Sequence, residues 1–131
     1  MMKIGLLVPT TALLALGLVG VAQAGLRNTP FGATIDRVHT TAQGQISGAR
    51  STPDETNRLL CAVYTYADSA NMYCYAIDSS GDNVTCSSSA PAFVEAARSI
   101  QSDSWIEFTW NGSACASLII MRDSASPPKQ M

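Results

Sequence analysis

The chain has 131 residues, of which 8 are Lys or Arg and 10 are Asp or Glu, and its formal net charge at pH 7 is −2. It lacks the basic stripe that neutralises phosphates, so no nucleic-acid partner is expected, and attraction to anionic membrane surfaces is disfavoured for the same reason. A chain of this length is enough for one domain with a modest core.

The first 24 residues have the pattern of a cleaved export signal. Lys3 supplies a positive start, residues 4–21 are largely apolar, and Ala22-Gln23-Ala24 is a small-x-small cleavage motif. We expect cleavage before Gly25, a mature net charge of about −3, and a location in the periplasm or outside the cell, with membrane contact only during export. The alternative is an uncleaved anchor, because the apolar run is about long enough to span a thin bilayer.

The mature chain is predicted to consist of a lead-in over 25–32, a single domain over 33–121 and a flexible tail over 122–131. The β-branched residues of 33–41 predict a strand, which Gly44 separates from 45–49. Glycine within a strand pattern often marks a bulge, so 33–49 is either one long bent strand or a hairpin. A loop over 50–57 follows.

Three more strands, one helix and a final hairpin complete the prediction. Alternation and turn residues predict strands over 58–66, 72–78 and 83–87. The helix spans 90–101, where Ser89 is a candidate cap, Pro91 lies in the first turn, and the apolar stripe is Phe93, Ala96, Ala97 and Ile100. Strands over 104–110 and 114–121 are joined by the turn Asn111-Gly112, and Ile106, Phe108 and Trp110 share the expected core face of the first.

This order of elements resembles small secreted bacterial OB-like domains, including the receptor-binding subunits of pentameric toxins. The residues that carry the resemblance are Ala33–His39 with Gly44, the helix Pro91–Ile100, and Trp105–Cys115 with its Asn-Gly turn. The resemblance implies a mainly β fold with one helix (α+β), arranged as a small OB-like barrel of five to six strands cross-linked by disulfides. Edge strands that pair into a ring, as in the toxin subunits, would make a homo-oligomer. No family motif matches position by position, so no receptor-binding residue is carried over.

Four cysteines in an exported chain predict two disulfides, for which three pairings exist. We favour Cys74–Cys86, because a hairpin folding at the turn over 79–82 brings them opposite each other, and Cys61–Cys115, which would tie the second strand to the last. The alternative is Cys61–Cys74 with Cys86–Cys115, because the first two also flank a hairpin turn. The absence of a Cys-x-x-Cys motif argues against zinc.

The sequence contains little that resembles an active site. His39 is the only histidine, and no Gly-x-Ser-x-Gly motif accompanies it. The carboxylates of Asp54-Glu55, Asp103 and Glu107 are interpreted as surface groups, and 78–83 as a β-turn that lacks the final Glu of a calcium loop. We therefore expect no enzyme activity, no catalytic residue, no metal and no cofactor.

Aromatic residues supply the candidate site. Tyr64 and Tyr66 share one face of a strand, Tyr73 and Tyr75 share one face of the next, and Trp105 lies on the expected exposed face of a later strand. Tyrosine offers a ring for sugar stacking and a hydroxyl for hydrogen bonds. The alternative interpretation is cross-strand packing with no ligand.

The expected function is that of a non-enzymatic binding module for a glycan or a protein, acting through these tyrosines. One alternative is a secreted inhibitor of a hydrolase or a structural envelope protein, with 50–57 as a projecting loop. A more remote alternative is a small hydrolase, which would require a serine and a carboxylate beside His39.

Overall fold

The structure is a computed structural model that describes residues 32–122. The predicted signal segment, nearly all of the lead-in and the tail beyond Arg122 lie outside the described residues. Within that range the elements are β1 (Thr34–Asp36), β2 (Thr41–Gln45), α1 (Ile46–Ser51), β3 (Arg58–Thr65), β4 (Ala70–Ile77), β5 (Asn83–Ser88), α2 (Pro91–Arg98), β6 (Trp105–Asn111) and β7 (Ala114–Met121). Neither of the helices in residues 32–122 is long and apolar enough to cross a membrane.

The seven strands form one sheet in the order β1-β2-β6-β7-β5-β4-β3. Neighbouring strands are antiparallel except β5 and β7, which are parallel and paired at Ser87 and Ala114. The edge strands β1 and β3 are not paired with each other, so the sheet is open. The fold is mainly β, as predicted, but residues 32–122 contain two helices rather than one, and their seven strands form an open sheet rather than a barrel of five or six strands.

The first predicted strand is a hairpin followed by a helix. Asp36 ends β1 and accepts the backbone N–H groups of Val38 and His39, while Thr40 takes the left-handed conformation with φ of 49°. These contacts turn the chain within four residues, and β2 pairs back onto β1. A hydrogen bond from the Ile46 amide to the Ser104 carbonyl, 3.1 Å long, attaches the start of α1 to the loop before β6.

The core lies on one face of the sheet, beneath α2. Its largest fully buried side chains are Phe108, Met72 and Ile106. The expectation that Ile106 and Phe108 face the core is confirmed, and the half-buried Trp110 packs at a tilt on Phe108, with ring centroids 6.2 Å apart. α2 has no side-chain cap, since its N-cap residue is Ala90 rather than Ser89.

The disulfides are Cys61–Cys74 and Cys86–Cys115, with Cα–Cα distances of 4.0 and 4.9 Å. The favoured pairing was therefore wrong, and the alternative is the one observed. Cys74 lies in the middle strand of three and is opposite both Cys61 and Cys86. Pairing across a hairpin therefore fits Cys61–Cys74 as well as Cys74–Cys86. Cys115 decides the pairing because β7 neighbours β5 and not β3. Two disulfides indicate an oxidising, extracytoplasmic environment.

Candidate functional site

Two of the predicted tyrosines lie on the outer face of β4. Met72, Cys74 and Ala76 are fully buried on the core face of this strand. Because successive side chains of a strand point to opposite faces, Tyr73 and Tyr75 point away from the core. Both are half-buried.

Tyr64 extends this outer face onto β3, and we call Tyr64, Tyr73 and Tyr75 the tyrosine face. The register partner of Tyr64 is Asn71, which makes Tyr73 its diagonal neighbour. The rings of Tyr64 and Tyr73 stack with centroids 5.4 Å apart and an interplanar angle of 11°. The neighbouring side chain of Tyr73, chiefly through its hydroxyl, raises the pKa of Tyr64 above its ordinary value of 10.0.

Tyr66 lies at the rim of the tyrosine face, one residue beyond the end of β3. Its amide donates a hydrogen bond of 2.7 Å to the Ser69 carbonyl, so it begins the loop to β4 rather than ending the strand. Tyr66 is 63% exposed and Tyr64 is 52% exposed. The structure therefore brings Tyr64 and Tyr73 into contact, and Tyr64 and Tyr66 are accessible.

Small neutral side chains surround the two tyrosines of β4. Across the pair with β3, Tyr73 is opposite Ala62 and Tyr75 is opposite Leu60; across the pair with β5, they are opposite Ser87 and Thr85. None of these four neighbours is ionisable. The surface thus combines aromatic rings with hydroxyl groups and carries no formal charge at these positions.

The structure places Trp105 apart from the tyrosines, in the other half of the sheet. It lies on β6, opposite Gln45 of β2 and Met121 of β7, and it is half-buried. Together with Thr34 and Gln43 it lines a cavity of about 260 Å³. Two strands, β7 and β5, separate β6 from β4, so the five aromatic candidates do not form one surface.

His39 lies in the β1–β2 turn with a carboxylate beside it. Its Nδ1 is 2.6 Å from Oδ2 of Asp36, and this contact is the largest cause of the lowered pKa of Asp36. The His39 side chain is 75% exposed. Among residues 32–122, no serine hydroxyl is hydrogen-bonded to the His39 ring.

Three further carboxylates, those of Asp54, Asp78 and Asp82, accept hydrogen bonds in turns or form an ion pair. Asp54 accepts the amides of Thr56 and Asn57, and the Asn57 amide is the main cause of its lowered pKa. Asp78 accepts the amides of Ser80 and Asp82.

Asp82 is engaged as well, because it forms an ion pair with Arg37. In the range 32–122, no three side chains of His, Cys, Asp or Glu lie close enough together to hold a metal ion.

A cavity that the sequence analysis missed lies between α1, the start of β3 and the α2–β6 loop. Its volume is about 330 Å³. Ile46, Ala49 and Leu59 supply apolar walls, and the polar groups that line it are Ser47, Arg50, Asn57, Arg58 and Ser102. The signal in the sequence is that Arg50 begins the predicted loop 50–57 and Arg58 follows it, and the two ends of this segment line one cavity in the fold.

The polar groups of this cavity include a buried hydroxyl without a partner. Ser47 is 7% exposed, and its Oγ makes no hydrogen bond within residues 32–122. A buried polar group in this state costs about 1–3 kcal/mol. Arg50 and Arg58 are exposed and form no ion pair with the described residues, unlike Arg37 and Arg98, which are paired with acids.

Comparisons of the chain with protein-family models, with curated proteins and with solved structures give no significant match, so the site rests on the geometry of this chain alone.

Proposed function

We propose that this chain is an exported, non-enzymatic binding module that recognises a neutral glycan through the tyrosine face and the adjoining Tyr66. The observation that carries the proposal is the exposure of Tyr64 and Tyr66, 52% and 63%, beside the stacked Tyr73. If these rings served only to pack the sheet, they would be covered by other side chains.

The position of the tyrosine face in the sheet supports the same function. If β1 and β2 are left out, the last five strands of this open sheet have a helix between the third and the fourth, an element order that resembles an OB-like domain without its closed barrel. OB-type domains bind oligosaccharides on the face of their second and third strands. In this chain those strands are β4, with Tyr73 and Tyr75, and β5, with Thr85 and Ser87.

The chemistry of the face favours a sugar over a charged ligand. Sugar rings present C–H groups that pack on aromatic rings and hydroxyls that hydrogen-bond to phenol and alcohol groups. The neighbours of Tyr73 and Tyr75 supply hydroxyls and no charge. Export, inferred from residues 1–24 and consistent with the two disulfides, would place this surface where extracellular or envelope glycans occur.

The proposal is tested by glycan-array binding of the protein recovered from the periplasm or the medium of an expression host, with cleavage before Gly25 checked by mass spectrometry. We expect saturable binding that Tyr64→Ala and Tyr66→Ala each weaken about tenfold, which corresponds to about 1.4 kcal/mol. Val38→Ala is the matched control, because Val38 is an apolar side chain that is 87% exposed and lies in the β1–β2 turn.

The same purified protein distinguishes the alternative functions, namely protein binding, inhibition of a hydrolase and hydrolase activity. If no glycan binds and a pull-down from the envelope fraction captures a protein whose binding depends on Tyr64 and Tyr66, the glycan proposal is wrong and the face binds a protein. A captured hydrolase whose activity falls, with no effect of the tyrosine variants, would favour an inhibitor. Turnover that His39→Ala abolishes would favour a hydrolase. Sedimentation of the purified protein measures its oligomeric state.

A further inference from the structure

We propose that the cavity between α1 and β3 is a second binding site, separate from the tyrosine face, for a small organic acid with an apolar body. Leu59, which lines the cavity, is buried and so belongs to the core face of β3. The adjacent Leu60 is paired with Tyr75 on the tyrosine face. The two sites therefore lie on opposite faces of the sheet, and this proposal does not depend on the proposed function.

The volume and walls of the cavity fit a small ligand. Its volume of about 330 Å³ lies at the lower end of the range of roughly 300–1,000 Å³ that ligand pockets occupy. Ile46, Ala49 and Leu59 provide an apolar surface for a short aliphatic or aromatic group. Ligand pockets combine such walls with a few polar groups that fix orientation.

The two arginines supply the recognition of a negative charge. In a chain with more acidic than basic residues, Arg50 and Arg58 line one cavity, and none of the acidic side chains in residues 32–122 lines it with them. Neither arginine is engaged in an ion pair within the part of the chain that the structure describes. Guanidinium groups bind carboxylates through paired, charge-assisted hydrogen bonds.

Ser47 is the independent observation that points to a ligand. Its hydroxyl lines the cavity, is more than nine-tenths buried, and has no hydrogen-bond partner among residues 32–122. Buried hydroxyls in folded proteins are nearly always hydrogen-bonded, because water has been removed from them. A ligand oxygen in the cavity would give Ser47 the partner it lacks.

The experiment is an NMR titration of the ¹⁵N-labelled protein, expressed from the 131-residue sequence, with three probes of graded chemistry. Hexanoate has the carboxylate and the apolar body, hexanamide keeps the shape without the charge, and inorganic phosphate has charge without an apolar body. We expect saturable shifts at the amides of Ser47, Arg50 and Leu59 with hexanoate, about tenfold weaker binding of hexanamide, and no saturation with phosphate.

Variants then test the named groups. Arg50→Gln and Arg58→Gln are expected to weaken hexanoate binding about 5- to 10-fold while leaving hexanamide binding unchanged. Arg122→Gln is the matched control, because Arg122 is exposed, forms no ion pair with residues 32–122 and does not line the cavity. Ser47→Ala is expected to weaken both probes without lowering the melting temperature, which separates a ligand-binding role from a structural one.

Four results would overturn the proposal. Two concern the parent protein: no saturable shift around the cavity, or equal affinity for hexanoate and hexanamide. The others are arginine variants that bind hexanoate as tightly as the parent protein does, and phosphate binding that saturates and is as tight as that of hexanoate. The ¹⁵N spectrum of each variant verifies that it is folded. The glycan experiment is independent of all four, since Tyr64→Ala and Tyr66→Ala are expected to leave hexanoate binding unchanged.

Discussion

In the stacked pair Tyr64–Tyr73, the side chain of Tyr73 changes the pKa of Tyr64. The neighbouring hydroxyl of Tyr73 raises the pKa of Tyr64 above 10.0 in the folded protein, so the protonated form is favoured there. The resulting stabilisation is present below the pKa of the unfolded chain and is lost as the pH rises through the folded value.

Replacing Tyr73 by Phe keeps the ring and removes the hydroxyl. We therefore expect Tyr73→Phe to lower the pKa of Tyr64 towards 10.0, as measured by the ¹³Cζ shift of Tyr64 during a pH titration. Tyr75→Phe is the matched control, because the ring stacked on Tyr64 is that of Tyr73 and not that of Tyr75. An unchanged Tyr64 titration in the Tyr73 variant would show that the Tyr73 hydroxyl does not raise the pKa of Tyr64 in solution.

Gly44 is a position where close approach of the backbone requires glycine. A Cβ atom at Gly44 would lie 2.5 Å from the Gly32 carbonyl oxygen and 3.1 Å from the Ala33 Cα, and these backbone atoms cannot move aside cheaply. We expect Gly44→Ala to reduce the free energy of unfolding by about 1–3 kcal/mol in a urea titration. Gly112→Asn, in an open turn with φ of 61°, should cost far less, and an equal loss would contradict the steric explanation.

Elements with a strong periodic signal could be predicted from the sequence, and α1 could not. β6 alternates Ile106 and Phe108 with exposed or half-buried residues, and the structure buries both. Residues 46–51 have no apolar stripe and include Gly48, which disfavours a helix. α1 forms because tertiary contacts hold this short helix against the rest of the domain. One of them is the hydrogen bond from the Ile46 amide to the Ser104 carbonyl.

The two disulfides join different pairs of elements, and we expect them to contribute differently to stability. Cys61–Cys74 links β3 to β4, which are paired along eight residues each, whereas Cys86–Cys115 links β5 to β7, whose single paired position is Ser87 and Ala114. The sequence separations are 13 and 29 residues. The entropy of loop closure alone makes Cys86–Cys115 contribute about 0.7 kcal/mol more to the free energy of unfolding than Cys61–Cys74. A single disulfide typically contributes about 2–4 kcal/mol.

Replacing each pair of cysteines by alanine tests this difference. We expect the Cys86/Cys115 double variant to lose more free energy of unfolding in urea than the Cys61/Cys74 double variant, because it also frees the weak parallel contact. Hydrogen exchange should become faster at the β5–β7 contact in the first variant alone. Equal losses would indicate that hydrogen bonds and packing between β5 and β7 suffice without the covalent link.

At the scale of the whole molecule, the sheet is two antiparallel groups of strands that meet at the β5–β7 contact. Side chains also connect the groups: Arg37 after β1 pairs with Asp82 before β5, and the Ala33 amide donates to Asn57 Oδ1 at 2.7 Å. These contacts join residues 45 and 24 positions apart. Local periodicity describes neighbouring residues and carries no information on contacts between residues so far apart in the sequence. For this reason neither the open sheet nor the α1–β3 cavity could be predicted from the sequence.

Three turn carboxylates are expected to contribute to the dependence of stability on acid pH. The pKa values of Asp36, Asp54 and Asp82 are lowered below 3.8, chiefly by His39, by the Asn57 amide and by Arg37 respectively. The unfolded chain therefore binds protons at a higher pH than the folded protein. The stabilisation is present above the unfolded pKa and is lost as the pH falls from about 4 through the folded values.

We expect the urea midpoint to be steady near neutral pH and to fall below pH of about 4. Asp82→Asn should lower the midpoint at neutral pH and flatten this fall, because it removes one group that must otherwise be protonated, and its difference from the parent should vanish in strong acid. Asp68→Asn is the control, since Asp68 is exposed and forms no ion pair within residues 32–122. A constant difference between Asp82→Asn and the parent at every pH would show that the Arg37 contact acts through packing, without the charge of Asp82.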